Sequence, residues 1–221
     1  MAEETGLIVS IGDWVFRQAC IQMRDWHLRF PSQFALTIAV NFSAKQFLQP
    51  DLADQVAQTL RKTQLYPGSL GIEFTESVGM QDAERTALIL NKIKALGVRT
   101  MIDDFGTGYS SLSYLCRLPL DILKLDRSFV SEMKTNKESR AIILTIIRLA
   151  HELDMAVVAE GIETAEQATE LRSLGCQYAQ GYFFSKPMTQ ASVEALLESG
   201  VRQLPYVTSS LREIQIGSKS T

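Results

Sequence analysis

Two adjacent carboxylates, Asp103 and Asp104, carry the most chemistry in this chain. They follow an apolar run over 98–102 and lead into Phe105-Gly106-Thr107-Gly108-Tyr109-Ser110-Ser111. In a strand, neighbouring side chains point to opposite faces, so both acids can serve one site only where the strand ends and the backbone turns. Paired acids there suit a metal clamp, and Gly106 and Gly108 would let the backbone fold around it. A solvated strand-to-helix turn with Asp as a capping residue is the plainer alternative. Gly106-Thr107-Gly108 lacks the spacing and the lysine of a phosphate-binding P-loop, and as a dinucleotide fingerprint it is incomplete.

Similar polar positions close other apolar runs: Asn41, Glu73, Asp126, Glu160 and Gln180. Asn41, Glu73, Asp103, Asp104 and Glu160 form an all-oxygen donor set suited to hard cations such as Mg²⁺ or Mn²⁺, with no His/Cys cluster for structural zinc. Acids gathered in one mouth repel one another unless a cation neutralises them. Two metals about 3.5–4 Å apart would activate a water and stabilise both oxygens of a phosphoryl displacement. Lys124 is placed to orient that water or offset phosphate charge. Glu163 is a candidate support for Lys124 or for a second metal, and Gln180 for holding a metal-bound water or a ligand edge.

Plainer roles compete for several of these residues. Asp126, ahead of Arg127-Ser128, reads as a helix cap or surface acid. Glu76 is expected to fix the loop after Asp104 rather than touch substrate. His151 reads as packing on an apolar helix, His27 has no chemical partner in view, and Trp14, Met23 and Trp26 read as one packed helix face.

The elements that must position these groups alternate. Val15, Ala19, Met23, Trp26 and Phe30 recur at helical spacing, so residues 1–30 open with a helix. Thr37-Ile38-Ala39-Val40 is β-leaning, and Leu52, Val56 and Leu60 mark a helix that closes near Tyr66-Pro67-Gly68. Strands are expected at 70–76, 98–103, 122–126, 155–159 and 178–184. Helices are expected at 82–96, at 111–116, around Ala141 to Leu153, from the Thr164 cap to Leu174, and at 189–199. The polar tail 201–221 loses periodicity and is expected to fray.

That makes about six strand–helix units with short connections, hence a parallel sheet. Strands this apolar want both faces covered, as in a barrel or a doubly wound sheet. Polar residues at nearly every strand end favour the (β/α) barrel, whose active site lies there. A doubly wound sheet concentrates its site at one crevice. A closed barrel needs eight strands and about 250 residues, so the fold expected is α/β: a TIM-like (β/α) barrel, incomplete.

With 46% hydrophobic and 21% charged residues, the composition is that of a globular protein. A net charge of −3 gives no general pull toward nucleic acid or anionic membrane. Cys20, Cys116 and Cys176 match no zinc or CxxC pattern and read as free buried thiols of a reducing cytoplasm. No signal peptide or spanning apolar segment is expected.

Taken in order, the motifs resemble the EAL-domain cyclic-di-GMP phosphodiesterases. They are Ala2-Glu3-Glu4-Thr5-Gly6-Leu7, Val40-Asn41-Phe42-Ser43, Glu73-Phe74-Thr75-Glu76, Asp103 to Ser111, Leu123-Lys124-Leu125-Asp126, Ala159-Glu160-Gly161-Ile162-Glu163 and Gln180-Gly181-Tyr182. Carried over by position, the resemblance implies Asn41, Glu73 and Asp103 on one metal, and Asp103 with Asp104 on the second. It implies Glu160 as a metal-site or base residue and Lys124 on the catalytic water, completed by Glu163 and Gln180. Glu76 would anchor the loop over 104–111, near a homodimer contact.

The implied reaction is hydrolysis of cyclic-di-GMP to linear pGpG. A sensory or GGDEF-type domain is implied upstream. The Glu-Ala-Leu motif and two opening strands of the family are not in this sequence, so the resemblance implies a partial domain over 1–200, lacking the first two strands and one metal-ligand Glu. Impaired turnover is then expected of the chain alone, with a non-catalytic cyclic-di-GMP-binding or protein-interaction module as the alternative.

Overall fold

The computed structural model describes residues 2–31, 36–107, 115–199 and 215–218. Its contacts divide the chain into two compact units, one built from 1–103, 108–121 and 213–221, the other from 104–107 and 122–212.

The first unit opens with α1 (Ala2–Thr5) and α2 (Leu7–Arg29). The single helix expected over 1–30 is broken at Gly6, whose φ of 76° is left-handed and breaks the helical run. α2 buries Phe16, Ala19, Cys20, Met23 and Trp26. Trp14, expected on the same face, is 60% exposed. β1 (Thr37–Asn41) follows, then α3 (Ala44–Phe47), α4 (Leu52–Thr63), β2 (Leu70–Thr75), α5 (Glu76–Gln81), α6 (Ala83–Ala95) and β3 (Arg99–Phe105).

β1 and β2 pair in parallel with Asn41 beside Glu73, and β2 and β3 pair in parallel with Thr75 beside Asp103. Nearly every residue of these strands is buried, as expected of a parallel sheet covered on both faces. The short helix expected at 111–116 lies mostly outside the described residues.

The tail departs from expectation. β7 (Gln215–Ser218) lies parallel to β1, with Thr37 opposite Gln215 and Val40 opposite Ser218. Backbone pairing explains this: an edge strand presents a row of unsatisfied amides and carbonyls that a polar segment can pair as well as an apolar one. Residues 201–214 and 219–221 lie outside the described residues.

The second unit holds β4 (Ile122–Leu125), α7 (Arg127–Glu132), α8 (Lys137–Glu152), β5 (Ala156–Ala159), α9 (Ala165–Ser173), β6 (Tyr178–Ala179) and α10 (Gln190–Glu198). β4, β5 and β6 pair in parallel, in that order, with Lys124 beside Val158 and Ala159 beside Ala179. Ile143 and Ile147 of α8, with Leu123 and Val157 of the strands, are fully buried in its core.

β6 is much shorter than the strand expected over 178–184. Phe184 N–H donates to Gly181 O at 3.0 Å, turning the chain. A Cβ at Gly181 would come 2.1 Å from Ile162 O, so the backbones pass too closely for a strand of side chains to continue. Both units repeat the parallel strand–helix pattern, and the fold is α/β, of the incomplete TIM-like barrel type.

Candidate active site

In the first unit, register alone sets the acids. Asn41 ends β1 next to Glu73, and Asp103 lies two steps further along the β2–β3 ladder. Glu73 is 1% exposed and Asp103 3%. Carboxylates that deep need compensation by hydrogen bonds or counter-charge. One edge of the Asn41 amide supplies some of it, lying 3.2 Å from Asp103 Oδ2 and 3.3 Å from Glu73 Oε2.

With its nitrogen on that edge, Asn41 donates to both carboxylates. With its oxygen there, three oxygens converge, an arrangement that calls for a cation. The donor set therefore fits a hard divalent ion. Glu76, the first residue of α5, is also buried. Its expected partner loop falls largely on residues 108–114, outside the described residues.

Asp121, which the sequence reading passed over, braces β3. Its Oδ2 accepts from Thr100 N–H at 2.9 Å and from the Thr100 hydroxyl at 3.1 Å. Its Oδ1 meets Lys94 Nζ at 2.7 Å. Sequence offers little signal for it, because Thr100 and Lys94 become its neighbours only through folding.

At Asp104 the chain enters the second unit. The strand was expected to end at Asp103 but runs on to Phe105, and the turn comes inside it: Asp104 has φ 53°. Asp tolerates this left-handed conformation better than most residues. It breaks the strict alternation that would otherwise oppose the two acids. Thr107 donates its hydroxyl to Asp104 O at 2.9 Å. Gly106, at φ 97°, holds the next bend, where a Cβ would meet Phe129 at 2.8 Å.

Within this unit an Asp104 carboxylate oxygen lies within 4.8 Å of one from Glu160, so these two acids can share an ion. Lys124 is 1% exposed and its Nζ is 2.7 Å from Glu160 Oε1. Glu160 follows directly on β5, and its N–H donates to Leu125 O at 3.1 Å, extending the ladder by one step. Next to it, Gly161 at φ 70° lets the chain pass Arg127, where a Cβ would come within 2.4 Å of the Arg127 Cβ.

Gln180 is half-buried; its N–H donates to Ala159 O at 2.8 Å and its carbonyl accepts from Ile162 N–H at 3.1 Å. Glu163 is exposed, and its N–H donates to Gln167 Oε1 at 2.9 Å as α9 begins.

Asp126 is a cap. Its Oδ1 accepts from Ser128 N–H at 2.9 Å at the start of α7. Burial pushes its carboxyl up, but hydrogen bonds from the Ser128 hydroxyl and amide and from Arg127, with the Arg127 charge, outweigh that and hold it below the usual carboxylate value.

The histidines and Cys116 differ from expectation, whereas Cys20 is a free buried thiol as expected. His27 Nε2 is 3.0 Å from Leu36 O, and His151, exposed rather than packed, has Nε2 2.6 Å from Gln177 Nε2. Cys116 is exposed; Cys20 is buried in an apolar setting that pushes its thiol up to about 12. None of them joins the oxygen set.

Comparison with known proteins follows the same residues. The family model described as "EAL domain" matches residues 1–187. The chain is 46% identical over 188 residues to the bifunctional diguanylate cyclase/cyclic di-GMP phosphodiesterase MucR of Pseudomonas aeruginosa, covering 85% of this chain and 27% of that protein. It is 41% identical over 199 residues to the cyclic di-GMP phosphodiesterase NbdA of the same organism, covering 90% and 25%. It thus spans about a quarter of these relatives' length.

Among solved structures, the PaMucR phosphodiesterase in complex with c-di-GMP superposes with a TM-score of 0.82 at 45% identity, over 87% of this chain and 77% of that one. Klebsiella pneumoniae BlrP1 with manganese and cy-diGMP gives 0.73 at 28% identity, over 82% and 45%. Among the described residues no helix is long and apolar enough to cross a membrane. By the family match over most of its length, and by the order of its strand-end oxygens, this chain belongs to the EAL domain family.

Proposed function

We propose that this chain is a cyclic-di-GMP phosphodiesterase domain that hydrolyses its substrate to linear pGpG with two divalent cations, Mg²⁺ or Mn²⁺. The observation that supports the reading most is the convergence of Asn41, Glu73 and Asp103: one edge of the Asn41 amide lies 3.2 Å from an Asp103 carboxylate oxygen and 3.3 Å from one of Glu73, and both acids are buried. Relatives bearing this activity in their names, and solved relatives holding c-di-GMP, support it.

In this reading Asn41, Glu73 and Asp103 hold one cation, while Asp103, Asp104 and Glu160 serve the second. Bound divalent cations would supply Lewis acidity toward the phosphate and a water nucleophilic at neutral pH. The chain's own part is to place charge. Lys124, desolvated beside Glu160, keeps its ammonium where negative charge develops. Glu160 accepts the proton that the attacking water gives up. Glu76 positions the loop over 104–111. Gln180 meets a ligand edge at the end of β6, and Glu163 acts from its surface position as a supporting acid.

The full protein works in the cytoplasm as a homodimer joined through the loop after Asp104, under a sensory or GGDEF-type domain. Incubating the purified chain with cyclic-di-GMP and Mn²⁺, with and without EDTA, tests the activity. EDTA-sensitive formation of pGpG is expected, at an impaired rate, because one metal-ligand Glu of the family is not in this sequence. Binding without turnover would leave a non-catalytic module, and neither binding nor turnover would overturn the reading.

A further inference from the structure

Away from these strand ends, a groove of about 540 Å³ runs between α2 and α4. That volume suits a small organic ligand. α2 lines it with Asp13, Arg17, Ile21 and Arg24, spaced four, four and three residues apart, which makes one continuous helix face. α4 faces them with Gln58 and Lys62, again one turn apart. Three cations and one acid leave the groove at about +2 in a chain whose net charge is −3.

Of the acids on these two helices, Asp25 is neutralised by Arg29 at 3.1 Å, while Asp51 accepts from the uncharged Gln55 at 3.0 Å and keeps its charge. Among the described residues, Arg17, Arg24 and Lys62 form no ion pair or hydrogen bond.

We infer that this groove binds a phosphorylated nucleoside. Arg17 and Arg24 stand two helical turns apart, about 10.5 Å along the axis, too far to grip one phosphate but well placed along a phosphate-bearing ligand. Lys62 adds charge from the opposite wall. Guanidinium groups match phosphate oxygens in pairs. Asp13 would repel a bare polyphosphate yet accepts hydrogen bonds from ribose hydroxyls or base N–H groups. Ile21, 47% exposed, gives a base an apolar surface to lie on.

The site needs no metal, which separates its test from that of the phosphodiesterase reading. The ¹⁵N-labelled full chain is titrated with guanosine diphosphate, and separately with inorganic pyrophosphate, in excess EDTA. Saturable shifts confined to amides of 13–24 and 55–63 are expected, with the nucleotide binding more tightly than pyrophosphate.

Arg17→Glu/Arg24→Glu should weaken nucleotide binding by at least about tenfold with an unchanged circular dichroism spectrum, because Arg17 is exposed and Arg24 only half-buried. Arg61→Glu, on α4 outside the lining, should change it by less than about threefold. Equal losses in the two variants, shifts centred on Asp103 or Glu160, or no saturable shift would each overturn the proposal. Pyrophosphate binding as tightly as the nucleotide would overturn its nucleoside part.

Discussion

With its nitrogen toward Glu73 and Asp103 the Asn41 amide donates to both carboxylates, whereas a bound cation would need its oxygen on that edge. Asp103→Asn keeps shape while removing charge, so Mn²⁺ affinity measured by calorimetry should fall by more than about 100-fold, since even groups that only support a ligand cost 10–100-fold. pGpG production should fall with it. Lys124 and Glu160 make a different case. Removing one partner from a buried pair leaves the other charge uncompensated, at about 3–5 kcal/mol. Lys124→Met should therefore lower the melting temperature in EDTA, and saturating Mn²⁺ should recover part of the loss, because a cation restores positive charge beside Glu160. No recovery would separate Glu160 from the metal.

Caps and glycines fix where these elements start and stop. Asp126 starts α7, and Asp126→Ala should cost about 0.5–2 kcal/mol in chemical denaturation. Its carboxyl titrates lower in the folded chain than in the unfolded one. Its contribution is therefore complete above the unfolded pKa of about 3.9 and disappears as pH falls through the lower folded value. A stability–pH curve should show the wild type and Asp126→Ala converging in that acid range. Gly181→Ala is the harsher change, since the new methyl group meets Ile162 backbone atoms at 2.1–2.7 Å rather than a side chain that can swing away. It should lower the melting temperature more than Asp126→Ala does, by about 1–3 kcal/mol or more in stability.

For the whole molecule, the exposed edge of a parallel sheet is the point of weakness. β7 gives β1 a partner through backbone pairing at four positions, Thr37 to Val40. Deleting 213–221 would bare that edge, and light scattering at constant concentration should show faster association than in the full chain. An unchanged association rate would mean that β7 does not protect β1. Metal should act globally as well. If only the folded chain binds Mn²⁺, a concentration of about 100 times Kd adds about 2.7 kcal/mol and raises the melting temperature, and EDTA reverses it.

Much of this was legible in the residues before any fold was known. Alternation of apolar runs with helical periodicity dictated parallel strand–helix units, since strands without a polar face demand cover on both sides. The oxygens Asn41, Glu73, Asp103 and Glu160 showed themselves by standing where those runs stop. Other features depend on contacts far apart in sequence. Asp121 bracing Thr100, the Lys124–Glu160 pair, and the pairing of Gln215–Ser218 with β1 join segments whose spacing carries no local signal. A turn at the paired acids was expected, but its place inside a strand that runs on to Phe105, and the early end of β6, were hidden, because a backbone angle and a close approach between Gly181 and Ile162 are set by what surrounds them. Local pattern names the groups that can do chemistry; only packing decides which of them meet.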